Sequence, residues 1–211
     1  MVPKPGTVPP VQTPRAALVL VLGSIMVGTG LSFGQGIAVD AIAPLFNSAL
    51  PIVTFAALAA MLRRQLWACV LFASAVGPLA MVGYYATSTL RGLGASSSWA
   101  LLWIVAGIIA GSVLGAAVWA MRQPLPAMPA SWVRGLAVGF WPGIAFGEAA
   151  HGLTRIADST PALYWWVQVG AGVLVLAVLI TTRLTAVTAR LIAVASAAAV
   201  GAGLYVVYGG P

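Results

Sequence analysis

Three carboxylic acids and one histidine are the side chains in this sequence best suited to moving protons. Glu148 and His151 lie three residues apart, so they share one face of a helix. Asp158 follows His151 after seven residues, and Asp40 stands far away in the sequence. A carboxyl group among apolar residues suits proton donation in a dry pocket, which makes Glu148 and Asp40 candidates for such chemistry.

Each acid also has a structural alternative. A carboxyl group buried in lipid is costly when it is ionised and unpaired, so we expect Glu148 to be protonated or paired with Arg155. Trp141, Glu148 and Arg155 recur at intervals of seven residues and therefore share a helix face. The alternative role of Glu148 is a salt-bridged anchor that fixes its helix. Asp40 and Asp158 have a comparable alternative as helix caps or loop residues.

Aromatic and polar side chains fall at the same level as the acids. Ring faces stabilise a cation held above them. The residues predicted to line a substrate pocket beside Glu148 are Phe33, Asn47, Tyr84, Tyr85, Trp141, His151 and Arg155. Three further tryptophans, Trp99, Trp165 and Trp166, begin apolar segments and fit an interfacial belt. We expect an apolar pocket that opens between the first, third and fifth apolar segments.

Several kinds of site are missing from the sequence. It contains no aspartate-rich cluster, no GxxxxGK[ST] nucleotide loop, no HExxH zinc site and no GxSxG elbow. The single cysteine, Cys69, lies inside an apolar segment and fits a small buried side chain. We therefore predict no metal ion and no cofactor.

The elements that must position these residues follow from composition. Apolar residues make up 61% of the 211-residue chain and charged residues 6%, against about 25% charged in a typical soluble domain. Apolar runs of about 20 residues recur, as a hydrocarbon core of about 30 Å requires of helices. This pattern predicts an all-α transmembrane bundle of about seven spans, at 16–33, 42–62, 66–88, 98–121, 132–152, 162–182 and 186–208.

The basic residues predict the orientation of the bundle. With seven spans, Lys4 and seven arginines fall on one side, and Arg91 and Arg155 fall on the other, a division of 8 to 2. The positive-inside rule then places the N-terminus in the cytoplasm and the C-terminus outside. The fifth segment is the least apolar. Without it the chain would have six spans, and the division would be 7 to 3.

The remaining features favour one membrane-embedded domain. Residues 1–14 contain five prolines and are expected to form a disordered cytoplasmic tail before a single bundle at 15–211. Gly107, Gly111 and Gly115 form a GxxxGxxxG ladder, which favours close packing within the bundle over a dimer interface. The net charge of +7 is scattered, so it indicates no nucleic-acid partner. Membrane lipid and a lipophilic small molecule are the expected partners, the inner (plasma) membrane is the expected location, and the oligomeric state stays open.

Three segments carry a resemblance to a known family. They are GQGIAVDAIAPLFNS at 34–48, GYYATSTLRG at 83–92 and WPGIAFGEAAHGL at 141–153. Together with seven short-looped spans, they resemble the small integral-membrane terpene cyclases of bacterial indole-terpenoid and fungal meroterpenoid pathways. They are also similar to uncharacterised small membrane proteins of high-GC bacteria.

The resemblance implies acid-initiated cyclisation without a metal. An epoxide or alkene on a prenylated, indole-containing substrate would be protonated, and the resulting cation would cyclise and lose a proton. Glu148 would be the acid and Asp40 a second acid or the base. The ring lining would be Phe33, Tyr84, Tyr85 and Trp141.

Two other classes of function fit the same residues. A small-molecule transporter, or the substrate-binding component of a vitamin importer, would also bind its ligand near the outer face of a small apolar bundle. Transport pathways tend to carry polar groups through their full depth, whereas the inner half of this chain is apolar. A structural or assembly subunit would use the outer polar residues to dock a partner.

Overall fold

Seven α-helices and one short 3-10 turn make up the described residues of the computed structural model, 13–94, 97–123 and 128–209. The elements are α1 (Thr13–Ile37), the 3-10 turn (Ala43–Asn47), α2 (Leu50–Met61), α3 (Leu66–Leu90), α4 (Ser97–Arg122), α5 (Met128–Arg155), α6 (Ala162–Arg183) and α7 (Val187–Tyr208). Each predicted span overlaps one α-helix, which confirms the all-α transmembrane bundle. α1 begins at Thr13, and residues 1–12 of the predicted tail lie outside the described part.

Five of the helices are long and apolar enough to cross a membrane unaided: α1, α3, α4, α6 and α7. α5 has the length, at 28 residues, but it carries Arg134, Glu148 and His151. It packs against α4, α6 and α7 and also touches α2. Neighbouring helices therefore supply the surroundings that its polar side chains require in lipid.

α2 is the helix that departs most from its predicted span. Its 12 residues extend about 18 Å, short of a hydrocarbon core of about 30 Å. The 3-10 turn before it adds about 10 Å. Pro44 and Pro51 stand at the starts of these two pieces, and Ser48 between them has extended backbone, with φ −100° and ψ 146°. The second crossing is thus made in two pieces, with a break near the end where α1 terminates.

Small residues bring two helix pairs into backbone contact. A Cβ added at Gly107 would lie 2.9 Å from Gly77 Cα, and one at Gly111 would lie 2.4 Å from the Ala73 carbonyl oxygen. The GxxxGxxxG ladder of α4 therefore packs on α3 within the bundle, as predicted.

A second stripe of small residues joins α5 to α7. A Cβ added at Gly135 would lie 2.6 Å from the Ala189 carbonyl oxygen, and one at Gly139 would lie 2.3 Å from that of Ala193. The contact residues advance by four along α5 and by four along α7, because these two helices run parallel. The contact continues to Gly147, whose added Cβ would lie 2.7 Å from the Gly201 carbonyl oxygen. We call this contact the α5–α7 stripe.

The helices alternate in direction, and the three acids lie at one end of the bundle while most of the described arginines lie at the other. At one end, Arg122 donates hydrogen bonds to the carbonyl oxygens of Met61 and Arg63, at 3.0 and 2.6 Å. Arg134 donates to the Gln123 carbonyl oxygen at the same end. We call it the arginine end. The other end, where α1, α3, α5 and α7 terminate, holds the three acids, and we call it the acid end.

Candidate functional site

Glu148 is the centre of a buried polar cluster near the acid end. Its side chain is 4% exposed, and its carboxylate accepts four hydrogen bonds. The Ser48 hydroxyl donates to Oε2 at 2.6 Å, and Gln168 Nε2 donates to the same oxygen at 3.1 Å. The Ala49 backbone N–H donates to Oε1 at 2.7 Å, and the Tyr208 hydroxyl does so at 2.9 Å. Both carboxylate oxygens are therefore engaged by protein donors.

The broken second crossing creates this cluster. Because α2 begins inside the bundle, the first N–H groups of the helix meet a side chain instead of water. Ser48 Oγ accepts the Leu50 N–H at 3.0 Å while it donates to Glu148. A carboxylate at this point also complements the positive end of the helix dipole. Glu148 of α5 thus caps α2 from a neighbouring helix.

A cavity of about 790 Å³ lies above Glu148 at the acid end. Asp40, Glu148 and Asp158, all three acids of the chain, line it together with His151. No lysine or arginine is among the described residues of its wall. Its volume falls within the range of about 300–1,000 Å³ that ligand pockets occupy. We call this space the first cavity.

Aromatic side chains form part of the first cavity wall. Trp103, Trp165 and Tyr208 line it. The Tyr208 ring lies 5.2 Å from the His151 ring and 5.9 Å from the Trp103 ring, centroid to centroid. His151 Nδ1 is buried without a hydrogen-bond partner in the described structure. The wall therefore combines negative charge, ring faces and an unused imidazole nitrogen.

A second cavity, of about 330 Å³, lies beside the first. Asn47 and Trp103 line both spaces, so they form the partition between them. The remaining wall of the second cavity is mostly apolar and comprises Leu31, Phe46, Ser48, Ala49, Ile52, Met81, Tyr84, Tyr85 and Trp99. The predicted ring lining Tyr84 and Tyr85 therefore belongs to this space, and the first cavity is more polar than expected.

A hydrogen-bonded chain supports the partition. The Tyr84 hydroxyl donates to Gln35 Oε1 at 2.8 Å. Gln35 Nε2 in turn donates to the Phe46 carbonyl oxygen at 3.1 Å and to Asn47 Oδ1 at 3.3 Å. This chain ties the end of α1 to α3 and to the 3-10 turn.

The predicted site residues divide into two groups. Glu148, Asp40, His151 and Asn47 line the first cavity, and Asn47 lines the second cavity with Tyr84 and Tyr85. Three others, Phe33, Trp141 and Arg155, are not among the described residues of either wall.

Each residue of this last group is engaged elsewhere. Phe33 lies under the Arg91 guanidinium, 5.2 Å from its carbon. Trp141 Nε1 donates to Thr54 Oγ1 at 3.1 Å, within the core beside α2. Arg155 donates to the Tyr205 hydroxyl at 3.2 Å, and none of the four donors to Glu148 comes from it. The expected Glu148–Arg155 pair is therefore not formed.

Sequence reasoning missed several members of the site. Ser48, Gln168 and Tyr208 hold Glu148, and Trp103 and Trp165 line the first cavity. The sequence predicts Trp165 in an interfacial belt, but its side chain is 6% exposed and donates to Thr160 Oγ1 at 2.9 Å. Gln168 is the residue from which the sequence could have indicated this cluster, because a side-chain amide inside an apolar span needs a buried hydrogen-bond partner.

The arrangement suits attraction of a positive charge better than donation of a proton. A carboxylate can only accept hydrogen bonds, and the four donors occupy both oxygens of Glu148. Asp40 and Asp158 are exposed at the cavity wall, within reach of a ligand that enters from outside the bundle. In the described residues, no group of three His, Cys, Asp or Glu side chains is close enough to hold a metal ion.

Comparisons with known proteins give a family without an assigned activity. A family model described as "Family of unknown function (DUF6518)" matches residues 7–210. No curated protein matches the chain, and no solved structure matches it.

Proposed function

Because the chain belongs to DUF6518, a family of unknown function, we propose its role from the site itself: it binds a small organic cation in the first cavity, as the substrate-capturing part of a membrane transport system. One observation carries the proposal. A chain with a net charge of +7 has three acids, and all three line one cavity whose described wall holds no lysine or arginine. Such a wall attracts cations and repels anions.

The aromatic wall favours an organic cation. A cation above a tyrosine or tryptophan face gains about 0.5–1 kcal/mol at exposed sites and about 2 kcal/mol when it is desolvated. Trp103, Trp165 and Tyr208 supply such faces. Quaternary ammonium groups are recognised in this way. A metal ion would instead require several carboxylate oxygens at coordination distance.

Glu148 has a fixed role in this scheme. Its four donors hold the carboxylate in place at the buried side of the cavity, so its negative charge needs no rearrangement when a cation arrives. Asp40 and Asp158 lie at the exposed side, where they steer a cation inward.

Capture, and not free conduction, fits the interior of the bundle. Between the first cavity and the arginine end lies a packed core that includes Val76, Leu114 and Val118, each at most 2% exposed. Discontinuous helices mark the binding sites of many transporters, and α2 is such a helix. Passage of the ligand would therefore require movement of helices or a partner subunit.

Terpene cyclisation is the second candidate, and the second cavity favours it. The rings of Tyr84, Tyr85, Trp99 and Trp103 line an apolar space next to the acids. The candidate is weaker because a proton donor must aim its proton at the substrate, and both oxygens of Glu148 are engaged by protein donors. Incubation of membranes with a farnesylated indole epoxide tests it, since a cyclised isomer of unchanged mass would support the cyclase.

The transport proposal is tested by binding of choline and its neutral analogue 3,3-dimethylbutanol, in which carbon replaces the charged nitrogen. The purified protein is titrated with each compound, and intrinsic tryptophan fluorescence and calorimetry report binding. We expect choline to bind at least about tenfold more tightly, which corresponds to about 1.4 kcal/mol. We expect the Asp40→Asn/Asp158→Asn double variant to weaken choline binding severalfold and to reduce its salt dependence.

The control variant changes charge at the arginine end. Gln65→Lys raises the net charge by one at an exposed position before α3, as a single Asp→Asn change does in the cavity. We expect it to leave choline binding unchanged. Absence of choline binding, or equal affinity for the two compounds, would refute the proposal.

A further inference from the structure

The proposed cation site leaves the second cavity unused, although the two spaces are neighbours. It shares Asn47 and Trp103 with the first cavity. Ser48 lines it as well, while its hydroxyl reaches Glu148 at 2.6 Å. Ser48 therefore lines the second cavity and also holds Glu148, which lines the first cavity.

The chemistry of the second cavity differs from that of the first. Its described wall contains no acidic or basic side chain. Two of its hydroxyl groups already have partners, since Tyr84 donates to Gln35 and Ser48 donates to Glu148. Tyr84 and Tyr85 pack edge to face, with ring centroids 5.2 Å apart, so the wall offers ring faces, a methionine and aliphatic groups.

We infer that the ligand is amphiphilic: its cationic head lies in the first cavity, and an apolar arm passes Trp103 and Asn47 into the second. This inference rests on the proposed cation site and names its substrate class. A head in the first cavity would place its substituents next to the partition. An apolar arm gains free energy when it leaves water for such a wall, and a polar arm does not.

The size of the space limits the arm. A volume of about 330 Å³ is at the lower end of the range for ligand pockets. It admits a single ring or a short alkyl chain, and a second charged group in it would lack a partner. We therefore expect a monocation with one apolar substituent.

The test uses a homologous series of probes. Tetramethylammonium, butyltrimethylammonium, hexyltrimethylammonium and benzyltrimethylammonium share the head and differ only in the arm. We expect each methylene that enters the second cavity to tighten binding about fourfold. The gain should stop when the chain fills the space. All titrations use the full chain in lipid nanodiscs, below the concentration at which the probes aggregate.

Two variants place the gain in the second cavity. Ile52→Trp narrows the space, and Tyr85→Ala widens it, while neither residue lines the first cavity among the described positions. We expect Ile52→Trp to weaken the binding of hexyltrimethylammonium at least tenfold and to leave the binding of tetramethylammonium unchanged. We expect Tyr85→Ala to extend the series to a longer chain. Thermal unfolding of each variant verifies that the bundle is intact.

The possible results distinguish a failure of the amphiphilic ligand from a failure of the cation site. If tetramethylammonium binds but longer arms add nothing, the amphiphilic ligand is wrong and the cation site stands. If tetramethylammonium does not bind, the cation site itself fails. If hexyltrimethylammonium binds equally to wild type and to Ile52→Trp, its chain lies in the surrounding lipid and the inference is refuted.

Discussion

Glu148 accepts hydrogen bonds from three separate parts of the chain: the adjacent residues Ser48 and Ala49 directly before α2, Gln168 of α6 and Tyr208 of α7. Two of these donors, the Ala49 N–H and Gln168 Nε2, cannot act as acceptors. Ser48 and Gln168 donate to one carboxylate oxygen, and Ala49 and Tyr208 donate to the other. The NH₂ group of a glutamine at position 148 would therefore face one of these two pairs of donors. The side chain at position 148 must therefore supply two oxygens that both accept hydrogen bonds.

We predict that Glu148→Gln lowers the free energy of unfolding by about 1–3 kcal/mol, because at least one buried donor loses its acceptor. Thermal unfolding in detergent measures the loss. Asp158→Asn removes the same charge from an exposed position in the same cavity, and we expect it to change stability by less than about 0.5 kcal/mol. Equal unfolding temperatures for Glu148→Gln and wild type would contradict the hydrogen-bonding described above.

The sequence was sufficient to group the acids but not to find their partners. Alternating spans place Asp40, Glu148, His151 and Asp158 at one end, and the structure brings all four to one cavity. The expected partner of Glu148, Arg155, is exposed and bonds Tyr205 of α7. A spacing of seven keeps two residues near one face of a helix, but the choice of neighbouring helix depends on tertiary packing that periodicity does not encode.

At the scale of elements, the α5–α7 stripe sets how closely two helices approach. A Cβ at Gly139 would meet the Ala193 carbonyl oxygen at 2.3 Å and the Ala197 amide nitrogen at 2.7 Å. Both atoms belong to the backbone of α7, so they can move away from Gly139 only if the whole helix moves. Close approach of this kind is how helices associate in lipid, where no hydrophobic effect drives them together.

We predict that Gly139→Ala destabilises the bundle by about 1–3 kcal/mol, because the clash outweighs the better helix propensity of alanine. Gly203→Ala is the matched control, since an added Cβ there meets no atom within 4 Å. We expect the control to be neutral or up to about 1 kcal/mol more stable. Thermal unfolding of both variants in the same detergent compares them. Equal effects of the two substitutions would show that the stripe does not limit the helix separation.

Outside the second crossing, each helix is predictable from the sequence to within about four residues at either end. Long apolar runs give α1, α3, α4, α6 and α7, because length and hydropathy alone decide those spans. Residues 42–62 looked like one span, but the helix proper begins at Leu50. Pro44 and Pro51 indicated irregular backbone, but the position of the break depends on Glu148 as a partner for the freed N–H groups.

At the scale of the whole molecule, the separation of charge between the two ends predicts its orientation. Arg122 and Arg134 lie at the arginine end, and all acids lie at the acid end. The positive-inside rule places the arginine end in the cytoplasm. The first cavity would then open to the outside.

We predict that reporter fusions after Leu153 and after Pro211 both report the outer side. The reason is that seven crossings put both positions at the acid end. Alkaline phosphatase and green fluorescent protein fusions at each position measure this, and a fusion after Arg122 should report the cytoplasm. A cytoplasmic signal after Pro211 would mean six crossings, and the first cavity could not form as described.

The composition of α5 has a consequence for biogenesis. α5 is not among the helices apolar enough to enter lipid unaided, and the groups that satisfy Glu148 include Gln168, 20 residues later, and Tyr208, 60 residues later. During synthesis, we therefore expect α5 to enter the bilayer more completely once α6 and α7 have emerged. The three helices would then leave for the bilayer as one unit. A fusion that ends after Leu153 lacks both later donors, so we expect a smaller share of its molecules to place the reporter outside than after Pro211.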